Sequence, residues 1–273
     1  MHVMLSYPKS GRTWLRFMVN SYLCRVFDLT CPNVFDAEKQ LKNVHPIEWT
    51  HLSGAMIGKM PYWAMGPWRL DDAAKRVPWL VLTRNFHATL TSAYFQARDR
   101  IKVFQGTPSE FLRDPRYGAA KLVSFYNLFE ELRPGLTDCH VFSYEDMRDD
   151  PRPVFESVIR ALGLRVEDEL IDEVIEASSF ENMKRLSTTP AYAGSVIAPT
   201  DPTKPETFKV RSAGRSKKHL FDEDDIAYIE RIVADLFLHK DKPEYSRCLA
   251  DPHPAGTAPL PQKKTEDKES YAA

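Results

Sequence analysis

Hydrophobic positions along this chain form short runs separated by longer stretches of helical periodicity. The runs at Val3–Ser6, Pro78–Thr83 and Cys139–Ser143 predict strands, and the second has the continuous apolar character of a strand covered on both faces. Elsewhere apolar residues recur at intervals of three and four, which is typical of amphipathic helices. The predicted helices are Trp14–Val26, His87–Val103, Gly118–Leu132, Pro151–Leu162, Glu167–Ala177 and Asp222–Leu236.

Strands separated by helices indicate an α/β fold, here a P-loop-like three-layer α/β/α arrangement around a central parallel sheet. Ligands of such sheets bind at the carboxyl ends of the strands. The segments after Ser6, Thr83 and Ser143 all leave strands at that edge. We therefore expect three loops, well separated in sequence, to surround one pocket.

Two segments show no periodicity. Ser187–Thr207 is rich in Pro, Thr, Ser and Ala, which is typical of a functional lid or a disordered stretch. Asp251–Ala273 is polar and Pro-rich, and we expect a disordered tail there. The rest of the chain, residues 1–250, is predicted to form a single domain.

Composition and charge mainly exclude classes of function. A net charge of −1 over 273 residues provides no global basic field for nucleic acid. The sequence has no apolar run long enough to span a bilayer and begins without a signal peptide, so we expect a cytoplasmic protein, as a monomer or homodimer. The cysteines form no C-x-x-C pair and lack an accompanying His cluster, which predicts reduced thiols and no metal site; they are Cys24, Cys31, Cys139 and Cys248.

The segment Tyr7–Trp14, with the sequence YPKSGRTW, combines several features of an anion-binding loop. It lies between a predicted strand and a predicted helix, so the first amides of the helix point at it. Gly11 permits close approach of a ligand to the backbone, and Trp14 offers a flat face for a purine. The segment is not a G-x-x-x-x-G-K-S/T loop, which disfavours an ordinary ATPase or kinase. Its charged and hydroxyl donors are Lys9, Ser10, Arg12 and Thr13.

This loop resembles the 5′-phosphosulfate loop of the cytosolic-type sulfotransferases, usually Y-P-K-S-G-T-T-W. That family uses 3′-phosphoadenosine 5′-phosphosulfate (PAPS) as donor and releases adenosine 3′,5′-bisphosphate (PAP). The resemblance implies that the loop holds the 5′-phosphosulfate of the donor. Arg12 stands where the family has its first Thr.

The segment Leu82–Asn85, followed by Ser92, is similar to the 3′-phosphate segment of the same family, R-N-P-x-D-x-x-x-S. The resemblance assigns Arg84 and Ser92 to the 3′-phosphate. Two positions depart from the family pattern, because its Pro and Asp are replaced by Phe86 and Ala88.

Two later segments follow in the family's order. Phe142–Met147 resembles its Y-E-D-M stretch, whose Tyr lies near the adenine, so the resemblance implies that role for Tyr144. Phe208–Leu220 is similar to the late R-K-G-x-x-G-D-W-K segment, which closes over the 3′-phosphate. The candidates there are Arg211, Gly214, Arg215 and Lys217, with Arg211 and Arg215 as alternatives for the phosphate contact.

The resemblance also implies transfer of a sulfuryl group to a hydroxyl or amine of a small soluble acceptor, without a metal. Lys9 is the candidate for stabilising the leaving phosphate oxygen. His51 lies in a W-T-H-L sequence that resembles the T-H-L element of the family's general base, although Trp49 replaces the usual Lys. His45 and Glu48 are the alternative bases.

No motif identifies the acceptor. Met56–Leu70 is dense in aromatic residues and Met, which is typical of a core and, less often, of an acceptor pocket. Two other functions agree with parts of the pattern. A nucleotide-dependent kinase would need Mg²⁺ and carboxylates to hold it, and a degenerate sulfotransferase fold would bind nucleotide without transferring a group.

Overall fold

The computed structural model of this protein describes residues 1–199, 201, 203 and 220–250. A four-stranded sheet lies at its centre, with the order β2-β1-β3-β4 and parallel pairing between all neighbours. This confirms the predicted parallel sheet and its three predicted strands. The strands are β1 His2–Ser6, β2 Ile47–Thr50, β3 Trp79–Thr83 and β4 Cys139–Ser143.

Strand β2 was not predicted from the sequence. It has only four residues and lies at the edge of the sheet, where no position is fully buried. Apolar periodicity cannot reveal so short and half-covered a strand. Its pairing with β1, from His2 opposite Ile47 to Leu5 opposite Thr50, is a tertiary contact across 45 residues of chain.

Helices cover both faces of the sheet and include each of the predicted ones. The bounds of the α-helices are α1 Arg12–Val26, α2 Ala37–Gln40, α3 Asp72–Arg76, α4 Phe86–Phe95, α5 Pro108–Arg113, α6 Ala119–Leu132, α7 Tyr144–Asp149, α8 Pro151–Ala161, α9 Asp168–Ala177, α10 Phe180–Leu186, α11 Glu223–Leu236 and α12 Ser246–Leu249. Among the described residues, no helix has the length and apolar character that crossing a membrane requires.

The helix predicted from His87 to Val103 is shorter than expected. Helix α4 ends at Phe95 and continues as one π-helical turn, Gln96–Arg100. The amide of Ile101 bonds to the carbonyl oxygen of Gln96, five residues earlier, so the α-helical register is lost there. Such π turns occur often at functional sites.

The two faces of the sheet are buried in separate cores, as a three-layer fold requires. Val3 and Leu5 of β1 contribute to one core with helices α4, α6 and α11. Met4, between them, points to the opposite core, which contains helices α1, α8 and α9. Side chains of a strand alternate between faces, so this burial on both sides explains why the central strands are apolar throughout.

Of the two possibilities predicted for Ser187–Thr207, disorder is wrong for the first part of the segment, and a functional lid stays a prediction. Tyr192 and Ile197 are buried in a small core with Phe17 of α1 and Phe35. An aromatic and a branched residue in an otherwise polar segment are sufficient to anchor it. Residues 200, 202 and 204–207, and the tail predicted over 251–273, lie outside the described residues.

Candidate active site

The loop between β1 and α1 lies where the order of the sheet reverses. Strand β1 pairs with β2 on one side and with β3 on the other. Loops at such a switch point diverge and leave a crevice at the carboxyl ends of the strands. The chain that follows Ser6, Thr83 and Ser143 leaves the sheet at this edge, as predicted.

The backbone of this loop has two left-handed positions. Lys9 has a φ of 75°, which is uncommon for a residue with a side chain, and Gly11 has a φ of 93°. A Cβ atom at Gly11 would collide with the ring of Tyr144, so both the conformation and the close approach require glycine. Gly11 also precedes α1 without providing a side-chain cap, which leaves the first amides of the helix for a ligand.

Arg84 and Tyr144 connect the three loops to one another. The guanidinium carbon of Arg84 lies 4.4 Å from the centre of the Tyr144 ring. Its Nη1 donates a hydrogen bond to the carbonyl oxygen of Lys9 at 2.7 Å. Its Nε is buried and has no hydrogen-bond partner within the described ranges, so it retains a donor for an anion. The structure therefore brings together the predicted residues Arg84, Tyr144 and Gly11.

The start of α4 is held by contacts of Asn85 and of Phe86, one of the two residues that depart from the family pattern. Asn85 caps the helix by accepting a hydrogen bond from the amide of Ala88 at 3.0 Å. The amide of Asn85 donates to Glu145 Oε1 at 3.1 Å, which joins the loops after β3 and β4. Phe86 is buried and stacks on Tyr126, with ring centres 5.4 Å apart. Sequence analysis missed the role of Glu145, because it depends on a contact across 60 residues.

Ser92 is a residue of α4. By helical spacing it shares one side of the helix with Gln96, four residues later. Gln96 Oε1 accepts a hydrogen bond from Lys9 Nζ at 3.5 Å. Gln96 was not predicted as a site residue. It is the first residue of the π-helical turn Gln96–Arg100, so its contact with Lys9 is made where the α-helical register is lost.

Trp14 is held in place by its own contacts. Its indole Nε1 donates to the carbonyl oxygen of Ser178 at 3.0 Å, and its ring meets the Tyr144 ring edge-on at 6.0 Å. The predicted stacking of a purine on Trp14 stays a prediction. Tyr144 itself lies beside Gly11, so the contact between the two rings places the indole near the loop.

His51 follows β2 and reaches the opposite side of the same loop. Its Nδ1 lies 2.6 Å from the carbonyl oxygen of Ser6. A carbonyl oxygen can only accept, so Nδ1 carries the hydrogen and Nε2 has the free electron pair of a neutral imidazole. Burial first, then the positive charge of Arg12 and that of Lys9, lowers the pKa of His51 to about 4, against the raising effect of the bond to Ser6. The ring is therefore a neutral proton acceptor at physiological pH.

The two alternative bases lie elsewhere. His45 precedes β2, at the amino edge of the sheet, and packs on the rings of His2 and Phe27. Four strand residues separate it from the carboxyl edge, roughly 13 Å at the usual rise per residue. Glu48 is an exposed residue in the middle of β2.

The aromatic segment Met56–Leu70 is part core and part surface. Met56 and Met65 are buried, whereas Trp63 is exposed. Trp68 donates from its indole nitrogen to Ser53 Oγ at 2.8 Å and packs on Phe125. The segment therefore adjoins the turn that follows His51, but its contacts do not identify an acceptor.

The candidates from the late segment lie outside the described residues. They are Arg211, Gly214, Arg215 and Lys217.

The chain belongs to the sulfotransferase family, because residues 2–241 match the family model described as Sulfotransferase domain. Among curated relatives it is similar to Sulfotransferase 1E1 of Cavia porcellus, with 26% identity over 208 residues that cover 68% of this chain and 67% of the relative. It is also similar to Sulfotransferase 1B1 of Canis lupus familiaris, with 24% identity over 67% of this chain and 65% of the relative. The matched regions thus span about two thirds of these proteins.

Solved structures share the fold. Mouse sulfotransferase SULT7A1 complexed with PAP superposes with a TM-score of 0.57 and 19% identity, covering 88% of this chain and 85% of that one. Retinol dehydratase in complex with androsterone and inactive cofactor PAP gives a TM-score of 0.57 and 16% identity, covering 92% and 82%. These likenesses confirm the predicted α/β/α fold and agree with the family assignment.

Proposed function

We propose that this protein transfers a sulfuryl group from PAPS to a hydroxyl or amine of a small soluble acceptor. The observation that carries the proposal is the arrangement around Gly11. Arg84 and Tyr144 contact the loop on one side, and a neutral His51 faces it from the other. Two solved structures with the same fold are complexes with PAP, which supports PAPS as the donor here.

Several groups fit such a donor. The first amides of α1 and Lys9 are suited to the 5′-phosphosulfate, and the buried Nε of Arg84 is suited to the 3′-phosphate. The rings of Tyr144 and Trp14 form an apolar wall for the base. By resemblance, Ser92 and either Arg211 or Arg215 complete the 3′-phosphate site.

The donor supplies a sulfur atom that the acceptor attacks in line while its bond to the 5′-phosphate oxygen breaks. His51 accepts the acceptor's proton on Nε2 and retains its own hydrogen on Nδ1, bonded to Ser6. Lys9 neutralises the charge that develops on the leaving oxygen. Gln96, which contacts Lys9 Nζ, orients that ammonium.

The direct test is a transfer assay with PAPS labelled in its sulfuryl group and a panel of phenols, alcohols and amines, with and without Mg²⁺. We expect labelled product and an equal amount of PAP, independent of Mg²⁺. Turnover of ATP with Mg²⁺, and none of PAPS, would instead support a kinase. Tight PAP binding without transfer to any acceptor would support a degenerate binding module.

A further inference from the structure

Arg12 is a half-buried cation with one fully covered nitrogen that lacks a hydrogen bond. It is the first residue of α1, directly after Gly11. Its Nη1 is fully covered and has no hydrogen-bond partner in the part of the chain that the structure describes. Burial and the neighbouring charge of Arg16 lower the pKa of Arg12 to about 10, so it remains charged at neutral pH. An unpaired buried charge is costly, and an anionic partner would remove that cost.

A neighbouring acidic group, Glu38, is already paired with another arginine. Its charge acts on Arg12 and raises the pKa of that guanidinium, against the effect of burial. Its Oε1 accepts a hydrogen bond from Arg16 Nε at 2.7 Å and a second from Asn20 Nδ2 at 2.7 Å, and its Oε2 accepts from Arg16 Nη2. Glu38 therefore binds Arg16 with both of its oxygens. Arg12, one turn earlier on the same helix, does not share this carboxylate.

The charge of Arg12 acts on His51, on the β2 side of the loop. After burial, it is the strongest influence on that imidazole. Arg16, one turn after Arg12 on the same face of α1, lies over the ring of Trp49 in β2. This face of α1 therefore lies toward β2 and toward His51, which follows that strand.

The strand next to the loop shows a matching change. Trp49 of β2 stands where the resembling sulfotransferases carry Lys, and its ring packs under Arg16, 5.7 Å from the guanidinium carbon. This chain therefore lacks a cation on β2 two residues before His51. It has one instead on α1, at a position where those proteins have Thr.

We propose that Arg12 binds an anionic oxygen of the reacting group beside His51, a sulfuryl oxygen of the donor, and not the 5′-phosphate that the loop resemblance implies. A carboxylate on the acceptor would present the same chemistry at this place. The inference rests on the proposed function. It makes Arg12 a residue that distinguishes PAPS from PAP.

The test compares the binding of PAP, which lacks the sulfuryl group, with that of PAPS, by calorimetry in the absence of acceptor. In Arg12→Thr, which restores the family's residue, we expect PAPS to bind about 10- to 100-fold more weakly, the size of one charge-assisted hydrogen bond. PAP should change less than about threefold. Arg12→Lys keeps the charge and should retain part of the preference for PAPS.

Two controls separate this effect from damage to the fold. Arg25→Thr removes an exposed arginine at the other end of α1, paired with Glu173, and should change neither affinity. Thermal unfolding of each variant reports the integrity of the domain. If wild-type protein binds neither PAP nor PAPS, the proposed function fails; if it binds both, only the role of Arg12 is tested.

The acceptor arm compares the kcat/KM values of a neutral phenol and a phenol that bears a carboxylate. A loss in Arg12→Thr confined to the carboxylate-bearing phenol, with PAPS affinity unchanged, would assign the anionic oxygen to the acceptor. Equal weakening of PAP and PAPS would overturn the proposal in favour of a 5′-phosphate contact. No change in affinity or in either kcat/KM would overturn it as well.

Discussion

The two sides of the Tyr7–Trp14 loop differ in how many contacts join it to the neighbouring loops, although each side has a covered guanidinium nitrogen without a hydrogen-bond partner among the described residues, Arg84 Nε and Arg12 Nη1. On the β4 side, Arg84 donates to Lys9 and lies over Tyr144, and Glu145 bonds to Asn85. These contacts lie within the protein and hold the loops in place. Binding there costs little reorganisation, which favours affinity.

On the β2 side, fewer contacts join the loops to one another. His51 bonds to Ser6 through Nδ1, and Arg12 makes no hydrogen bond to a carboxylate of the described residues, because Glu38 is paired with Arg16. Charge arranged in advance of the reaction is the feature that stabilises a transition state. In the proposed function, recognition belongs to the β4 side and chemistry to the β2 side, with Lys9 between them.

The largest expected effect is at Lys9, which should act on transfer more than on affinity. We expect Lys9→Met to lower kcat by about 10³, the usual effect of removing a preorganised donor at a developing charge. PAP affinity should fall far less. The measurement is kcat at saturating donor, with the exposed Lys39→Met as matched control. A near-normal kcat would remove Lys9 from the chemistry.

The next effect tests His51 as the base. His51→Asn should lower kcat by about 10², within the range for loss of a general base, and leave PAP affinity unchanged. His45→Asn is the control, because His45 lies at the opposite edge of the sheet. If His45→Asn lost the activity and His51→Asn kept it, the division between the two sides would be wrong.

Arg84 tests the recognition side. Arg84→Met should weaken PAP about 10- to 100-fold, because a charge-assisted hydrogen bond is lost. Adenosine 5′-phosphate, which lacks the 3′-phosphate, should lose much less. Arg148→Met, an exposed arginine on α7, provides the comparison variant. Equal weakening of both nucleotides would mean that Arg84 acts only by holding Lys9 and Tyr144.

The smallest effect concerns pH and connects Arg12 with His51. The lowered pKa of His51, about 4, keeps the imidazole neutral from physiological pH down to about pH 5. The kcat/KM value, which reports on free enzyme, should therefore stay level over this range and fall as the ring becomes protonated near pH 4. Arg12→Thr removes a positive charge, so the pKa should rise and the fall should begin at higher pH. If kcat/KM fell over the same acidic pH range in wild-type protein and in Arg12→Thr, Arg12 would not act on His51.

Much of the fold follows from local patterns. The apolar run of β3 and the helical spacing of α1 predict their elements directly. Asp222 caps α11 with its side chain, as its place before an acidic first turn indicates. Strand β2 was missed because its four half-exposed residues show no periodic pattern of apolar positions. Tyr192 and Ile197 were missed because their burial depends on Phe17, far away in the sequence.

By itself, the sequence determined that a glycine-containing, basic loop joins a strand to a helix, because the turn, the helix start and the charge are all local properties. It also determined the order of the motifs. Only the tertiary structure decided which histidine faces that loop, since parallel pairing brings His51 and not His45 to the carboxyl edge of the sheet. It likewise decided that Tyr144 closes on Gly11, and that Glu38 pairs with Arg16 and leaves Arg12 without a carboxylate partner among the described residues. These are contacts between distant segments, and no local spacing encodes them.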